Sequence, residues 1–248
     1  MTSLADPYLK LNRARKHLES LQPLIDSFNS TDPCIFTRED DVENNLHMLS
    51  ARIRDVPDEI PLTVGDAFYN LRSALDQLVW SLAKGPGNIL DPHNTQFPII
   101  GVNDRANMKR FKSQTQGVPE SAISEIESLQ PYHRAGHYRE HPLWRLNTMC
   151  NLDKHRRIPA NGSEVRVFLP NATVESVHMN SFDDRFIASV PLTEKMKLDL
   201  SPRFFFKLNF GGDANGFSED LDGMWEIFNF IADTVLPRFL RFFLGLAL

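Results

Sequence analysis

The chain has 248 residues, of which 42% are apolar and 24% charged, and its formal net charge is −5. That balance belongs to an ordinary globular protein, and it argues against long disorder, a fibrous class or a surface-wide basic field for nucleic acid. Two cysteines, Cys34 and Cys150, make neither a disulfide framework nor a zinc knuckle, so the chain is expected in a reducing cytoplasm.

Leu4, Leu11, Leu18 and Ile25 recur every seventh residue, with Ala14, Leu21 and Phe28 filling the same stripe. This spacing predicts a first helix, with Asp6 as N-cap and Pro7 in its first turn. The N-terminal charges exclude a secretory signal reading. From Cys34 to Arg54 the period changes to two across a polar turn, which predicts a β-hairpin ended by Pro57 and Pro61.

Phe68, Leu71, Leu75, Leu78 and Leu82 then alternate steps of three and four, which predicts a buried helix over 63–84. Short helices are expected near Asp104–Gln114 and Pro119–Leu129, and a longer one from Pro142 to Arg157. Beyond Pro159, the segments Glu164–Leu169, Thr173–Met179, Phe186–Val190 and Arg203–Phe210 read as strands of a meander. A last helix starts after Ser218 and is expected to kink at Pro237. Its end, VLPRFLRFFLGLAL, is apolar but broken by Pro237, Arg238 and Arg241, and is shorter than the about 20 residues of a membrane crossing. It reads as a packing helix.

The expected class is therefore α+β: a single domain, 1–248, with a helical core over 1–158 carrying an N-terminal β-hairpin at 34–54. A C-terminal antiparallel sheet followed by a helix occupies 159–248.

Polar residues interrupt two of the apolar helices. In GDAFYNLRSALDQLVW, Tyr69, Arg72 and Asp76 follow one ridge, while Asp66, Asn70, Ser73 and Gln77 follow another. In LWRLNTMCNLDKHRR, Asn147, Asn151 and His155 lie four apart, and Asp153, Lys154, Arg156 and Arg157 gather beside them near the helix C-terminus. The plain readings are an ion pair that locks two helices and a basic C-cap answering the helix dipole. His133, His137 and His141 also lie four apart, but Gly136 and Pro142 mark a loop and no HExxH pattern completes a metal site. No glycine-rich phosphate loop and no GxSxG elbow is present, so no metal or cofactor is expected.

Residues Gly65 and Asp66, Asn70 to Asp76, Phe97 to Ile99, Gln130 to Tyr132 and Leu143 to Arg156 resemble a family of bacterial proteins. Its members carry a GDxxxNLRSALDHLVW-like helix, an FPI, a QPY and an LWxLxxLxNxDKHR-like helix. The resemblance covers most of the first two thirds of the chain and implies no activity by itself. Relatives often have histidine where this chain has Tyr69 and Gln77. With histidine at 77, the helix would be similar to the R-x4-H signature of HEPN ribonucleases, helical proteins that cut RNA without metal. Gln77 cannot titrate, which damages that version of the site. Arg134 and His141 fit a looser R-x6-H spacing that this many arginines and histidines produce by chance.

Two functions are weighed against a purely structural network. The first is a binding or interaction module with a polar site between two core helices, formed by Asp66, Tyr69, Asn70, Asp76, Asn151, Asp153, Lys154 and Arg156. Its partner would be an anionic ligand, RNA or a second copy of the chain. The alternative is a metal-independent HEPN-like ribonuclease, or a degenerate relative of one, in which Arg72 holds a phosphate and His155 moves a proton.

Overall fold

The computed structural model describes residues 4–85, 91–155, 163–166, 176–179, 185–191, 205–206, 208–210 and 217–244, with only the backbone of most strand residues and of 154–155. The chain divides into two compact units, Met1–Ser20 with Thr63–Arg157 and Asp222–Leu248, and Leu21–Leu62 with Ile158–Leu221.

Helix α1 (Ala5–Asn29) buries the heptad stripe as expected, from Leu11 and Ala14 to Ile25 and Phe28. It begins a residue earlier than its expected cap. Tyr8 N–H donates to Leu4 O at 3.1 Å, so Asp6 and Pro7 lie inside the first turn, where a missing proline N–H costs nothing. Helix α2 (Glu59–Lys84) likewise starts before its predicted position and takes Pro61 into its first turn. Its apolar face is closed from solvent, with Ala67, Phe68, Leu71, Ala74, Leu75, Leu78 and Val79 all 0% exposed.

In the first unit, α3 (Arg105–Gln114) is capped by the Asp104 carboxylate, which accepts from Asn107 N–H, and α4 (Glu120–Ser128) buries Ala122 and Ile126. Two single 3₁₀ turns, Pro131–His133 and Tyr138–Glu140, lead into α5 (Pro142–His155). Helix α6 (Leu221–Asn229) passes through a π-helical stretch, Phe230–Val235, into α7 (Leu236–Phe243). The π stretch stands where a kink was expected. Pro237 has no N–H to donate and its ring would crowd the carbonyl a turn back, and the widened turn just before it relieves both.

Helix α7 packs within this unit. Leu236 and Phe239 are fully buried, Arg241 pairs with Glu125 of α4 at 2.5 Å, and Arg238 donates to Ser128 Oγ at 3.3 Å. Arg145, on buried α5, reaches Glu226 at 2.5 Å and Gly223 O at 3.0 Å, tying α5 to α6. The Arg15 guanidinium of α1 lies 5.0 Å from the Phe228 ring centroid. Among the described residues, no helix is long and apolar enough to cross a membrane.

The α+β expectation is overturned. Of the residues described with their side chains, 69% are helical, and an N-terminal hairpin and a C-terminal antiparallel sheet are not shown among them. The extended backbone of the second unit falls into separate short pairings. β1 (Cys34–Asp41) and β2 (Leu46–Ile53) are continued by β5 (Arg185–Pro191) on the far edge of β2. β3 (Ser163–Arg166) lies between β4 (Ser176–Met179) and β6 (Phe205–Phe206), and β7 (Leu208–Phe210) pairs with β8 (Phe217–Glu219). Alternation predicts that a segment is extended, but it cannot say which segment is its neighbour, and the meander reading assumed that sequence neighbours pair. Parts of the expected strands 164–169, 173–179 and 203–210 lie outside the described residues.

Candidate functional site

Opposite its buried stripe, α2 presents Tyr69, Arg72, Ser73, Asp76, Gln77 and Trp80, whose steps of three and four place them along one face. Arg72 and Asp76 form the expected pair, with Nε donating to Oδ2 at 3.2 Å and Nη2 lying 2.9 Å from Oδ1. Both groups also hold the backbone of Phe97. Arg72 Nη2 donates to Phe97 O at 2.7 Å, and Phe97 N–H donates to Asp76 Oδ1 at 2.9 Å. A long bond of 3.4 Å joins Nη2 to Gln96 Oε1.

The segment after Phe97 is fixed in a similar way. Gln130, 1% exposed, donates to Pro98 O at 3.0 Å and to Ile126 O at 2.9 Å, and accepts from Ile100 N–H at 2.9 Å. Tyr132 N–H donates to Ile100 O at 3.1 Å. The LRSALD, FPI and QPY stretches are thus parts of one lacing. It satisfies the backbone of buried residues 97–100, which form no regular secondary structure of their own.

Helix α5 lies directly against α2. Cys150 Sγ donates to Phe68 O at 3.5 Å, and the Asp153 carboxylate sits so close to Gly65 that a Cβ there would meet Asp153 Oδ1 at 2.7 Å. Gly65 therefore admits the carboxylate onto the α2 backbone. Partial desolvation of its carboxylate against α2 raises the pKa of Asp153 above the ordinary carboxylate value although the residue is exposed, and the negative charge of Asp66 adds to the shift. His17 of α1 is lowered by burial and by Arg13, against an opposing pull from Asp66.

Between these elements is a cleft of about 300 Å³, lined by the α2 face together with Thr95, Cys150 and Asp153. Four of the expected site residues, Tyr69, Arg72, Asp76 and Asp153, share it. Asn70 does not, being buried and donating to Asp66 O of its own helix at 2.8 Å. Asp66 and Asn151 are exposed outside the lining. The side chains of Lys154 and His155, and Arg156 altogether, lie outside the described residues.

Ser73 and Gln77 were legible as an α2 ridge, and Trp80 extends the cleft face by one more turn. Thr95 comes from a loop and has no periodic signal. Two atoms of these residues, Arg72 Nη1 and Gln77 Oε1, are out of solvent contact and lack a hydrogen-bond partner among the described residues. Each such unmet bond costs about 1–3 kcal/mol in a folded protein.

Among the described residues no histidine lines the cleft, and no group of three His, Cys, Asp or Glu side chains converges as metal ligands. His133 meets Glu127 at 3.0 Å, His137 meets Glu140 at 3.0 Å, and His141 is buried. None of the family profiles, curated proteins or solved structures compared with the chain matches it.

Proposed function

We propose that the protein is a binding module whose ligand seats in the cleft between α2 and α5. The observation that carries this reading is a cleft of about 300 Å³, large enough for a small molecule, in which the rings of Tyr69 and Trp80 stand beside the polar side chains of Arg72, Ser73, Gln77 and Asp153. Arg72 Nε is engaged with Asp76 Oδ2, and Arg72 Nη2 and Asp76 Oδ1 hold the backbone of Phe97. That engagement favours binding over chemistry, because a catalytic arginine must be free to follow developing charge. A cytoplasmic location belongs to the same reading.

The test is a titration of ¹⁵N-labelled protein with small planar fragments, read at the Trp80 indole and the Gln77 side-chain amide. Shifts clustered at Tyr69, Gln77 and Trp80, and lost when Ser73→Trp fills the cleft, support the module. Shifts elsewhere, or none, remove it. Incubation with mixed-sequence RNA in chelator runs beside it. Cleavage by the wild type that disappears in a folded His155→Ala variant would move the function to the ribonuclease class.

A further inference from the structure

One charge in the lining of the cleft has no answer from the protein, and it narrows the ligand, an inference that rests on the binding reading above. The Asp153 carboxylate lies over Gly65, where a Cβ would meet its two oxygens at 2.7 and 2.9 Å. Among the described residues it takes part in no ion pair and no hydrogen bond. Desolvation against α2, and then the charge of Asp66, both work against its ionised form. The residue is exposed, so a cation from outside can reach it and supply what the protein does not.

The other charges around the cleft leave that one in control. Arg72 is engaged with Asp76 and with Phe97 O, and its remaining nitrogen is closed from solvent, so it has nothing to offer an anion. Asp76 is answered by Arg72 and by Phe97 N–H. On the α1 side, His17 feels Arg13 and Asp66. Lys10 of α1 is the charge that opposes a cation, with Nζ 5.8 Å from the Tyr69 ring centroid. It stands outside the cleft lining, against a ring that is 61% exposed, where like charges are screened by water and salt. A ligand cation at Asp153 would instead make a contact pair.

Spacing along α2 sets the rest of the ligand. Gly65, Tyr69, Ser73, Gln77 and Trp80 follow one face in steps of four and three, so the carboxylate stands at one end of that face, roughly one turn of about 5 Å before Tyr69. An amine two carbons from a flat ring spans such an interval. Tyr69 and Trp80 give the ring apolar surface to lie on.

We propose that the cleft takes an organic ammonium ion with a flat apolar body, its ammonium group paired with Asp153 at the Gly65 end of the α2 face and its body lying along Tyr69 and Trp80.

Phenethylamine, phenethyl alcohol and hydrocinnamate place a cation, a neutral hydroxyl and an anion on similar bodies, so they are the probes. Each is titrated at pH 7.5 into labelled full-length protein, with dissociation constants taken from the Trp80 indole and the Gly65 and Tyr69 amide resonances. The amine is expected to bind about fivefold tighter than the alcohol, the factor of one ion pair at an accessible carboxylate. Asp153→Asn keeps the shape of this exposed side chain and removes its charge. It should bring the amine down to the level of the alcohol without lowering the melting temperature. Lys10→Gln should tighten the amine about twofold by removing one screened like charge. An alcohol that binds as tightly as the amine, or an amine preference that survives Asp153→Asn, overturns the ammonium site and leaves the module intact. Preference for hydrocinnamate that Lys10→Gln abolishes also overturns it, and makes Lys10 the recognising charge. Absence of shifts at Gly65, Tyr69 and Trp80 with all three probes and with the wider fragment set removes both.

Discussion

His141 shows how much one buried side chain fixes. It is the N-cap of α5: its carbonyl accepts from Arg145 N–H at 3.0 Å, its Nδ1 accepts from Leu143 N–H at 3.1 Å, and Pro142 follows at the first helical position. Accepting at Nδ1 requires the neutral ring. The imidazole is 6% exposed and stands edge-on to Phe230 at 5.1 Å; burial, and then the charge of Arg134, push its pKa down to about 4. An unfolded histidine titrates near about 6.5. Between those values the unfolded state binds more protons, so stability rises with pH across the window and is lost on acidification from about 6.5 to about 4. Above about pH 7 the group makes no demand. The loss at pH 5 relative to pH 7 is expected at about 2 kcal/mol from this residue. His141→Asn retains a capping acceptor that cannot titrate. Urea unfolding at both pH values should show a pH difference smaller by about that amount in the variant, and an unchanged difference would mean that the ring is not held neutral.

Between elements, the contacts that matter join distant parts of the sequence. Gln130 bridges residues 98 and 100 to the end of α4, and Gln130→Ala would strand Ile100 N–H and Pro98 O among residues closed from water. A loss of about 3 kcal/mol or more is expected in chemical denaturation, because two buried backbone groups lose their partners together. Asp76→Ala should cost about 2 kcal/mol, less than a fully buried pair would, since Asp76 is 33% exposed while Arg72 is 13% exposed. A cost below about 0.5 kcal/mol would show that Phe97 is held without it. The α2–α5 contact yields a sharper test through Gly65. Alanine there gains about 1 kcal/mol of helix propensity but pushes its Cβ into the Asp153 carboxylate, 2.7 Å away. Asp153 is exposed and its carboxylate can swing aside, so Gly65→Ala alone should be close to neutral. In an Asp153→Ala background the same change should stabilise by about 1 kcal/mol, and equal effects in both backgrounds would deny the contact.

Across the whole molecule, what the sequence displayed and what it hid divide along local and non-local lines. The α1 stripe, the α2 stripe and the Arg72–Asp76 pair were legible because each lies within a few residues on one helix, where spacing alone decides which side chains meet. Phe97 and Gln130 were visible as motifs but not as partners. Their bonds to α2 and to residues 98–100 span 21 to 32 positions, over which periodicity carries no signal. The unmet atoms of Arg72 and Gln77 were hidden for the same reason, since satisfaction is a property of everything packed around them. The class was misjudged because alternation counts extended segments, whereas the described residues are dominated by helix whose stripes all close inward. That closure has a measurable consequence in the unit formed by Met1–Ser20, Thr63–Arg157 and Asp222–Leu248. The apolar α2 side chains Ala67, Phe68, Leu71, Ala74, Leu75, Leu78 and Val79 and the Phe239 ring of α7 are alike 0% exposed. If the unit opens as one cooperative body, removing the Phe239 ring must weaken the protection of α2 although it lies far away in sequence. Phe239→Ala is expected to cost about 3–5 kcal/mol, and native-state hydrogen exchange should show the slowest α2 amides losing protection by the same free energy as the unfolding measurement. Protection of α2 left at its wild-type level, with only α7 amides accelerated, would mean that α7 frays separately and that the unit is not a single cooperative core.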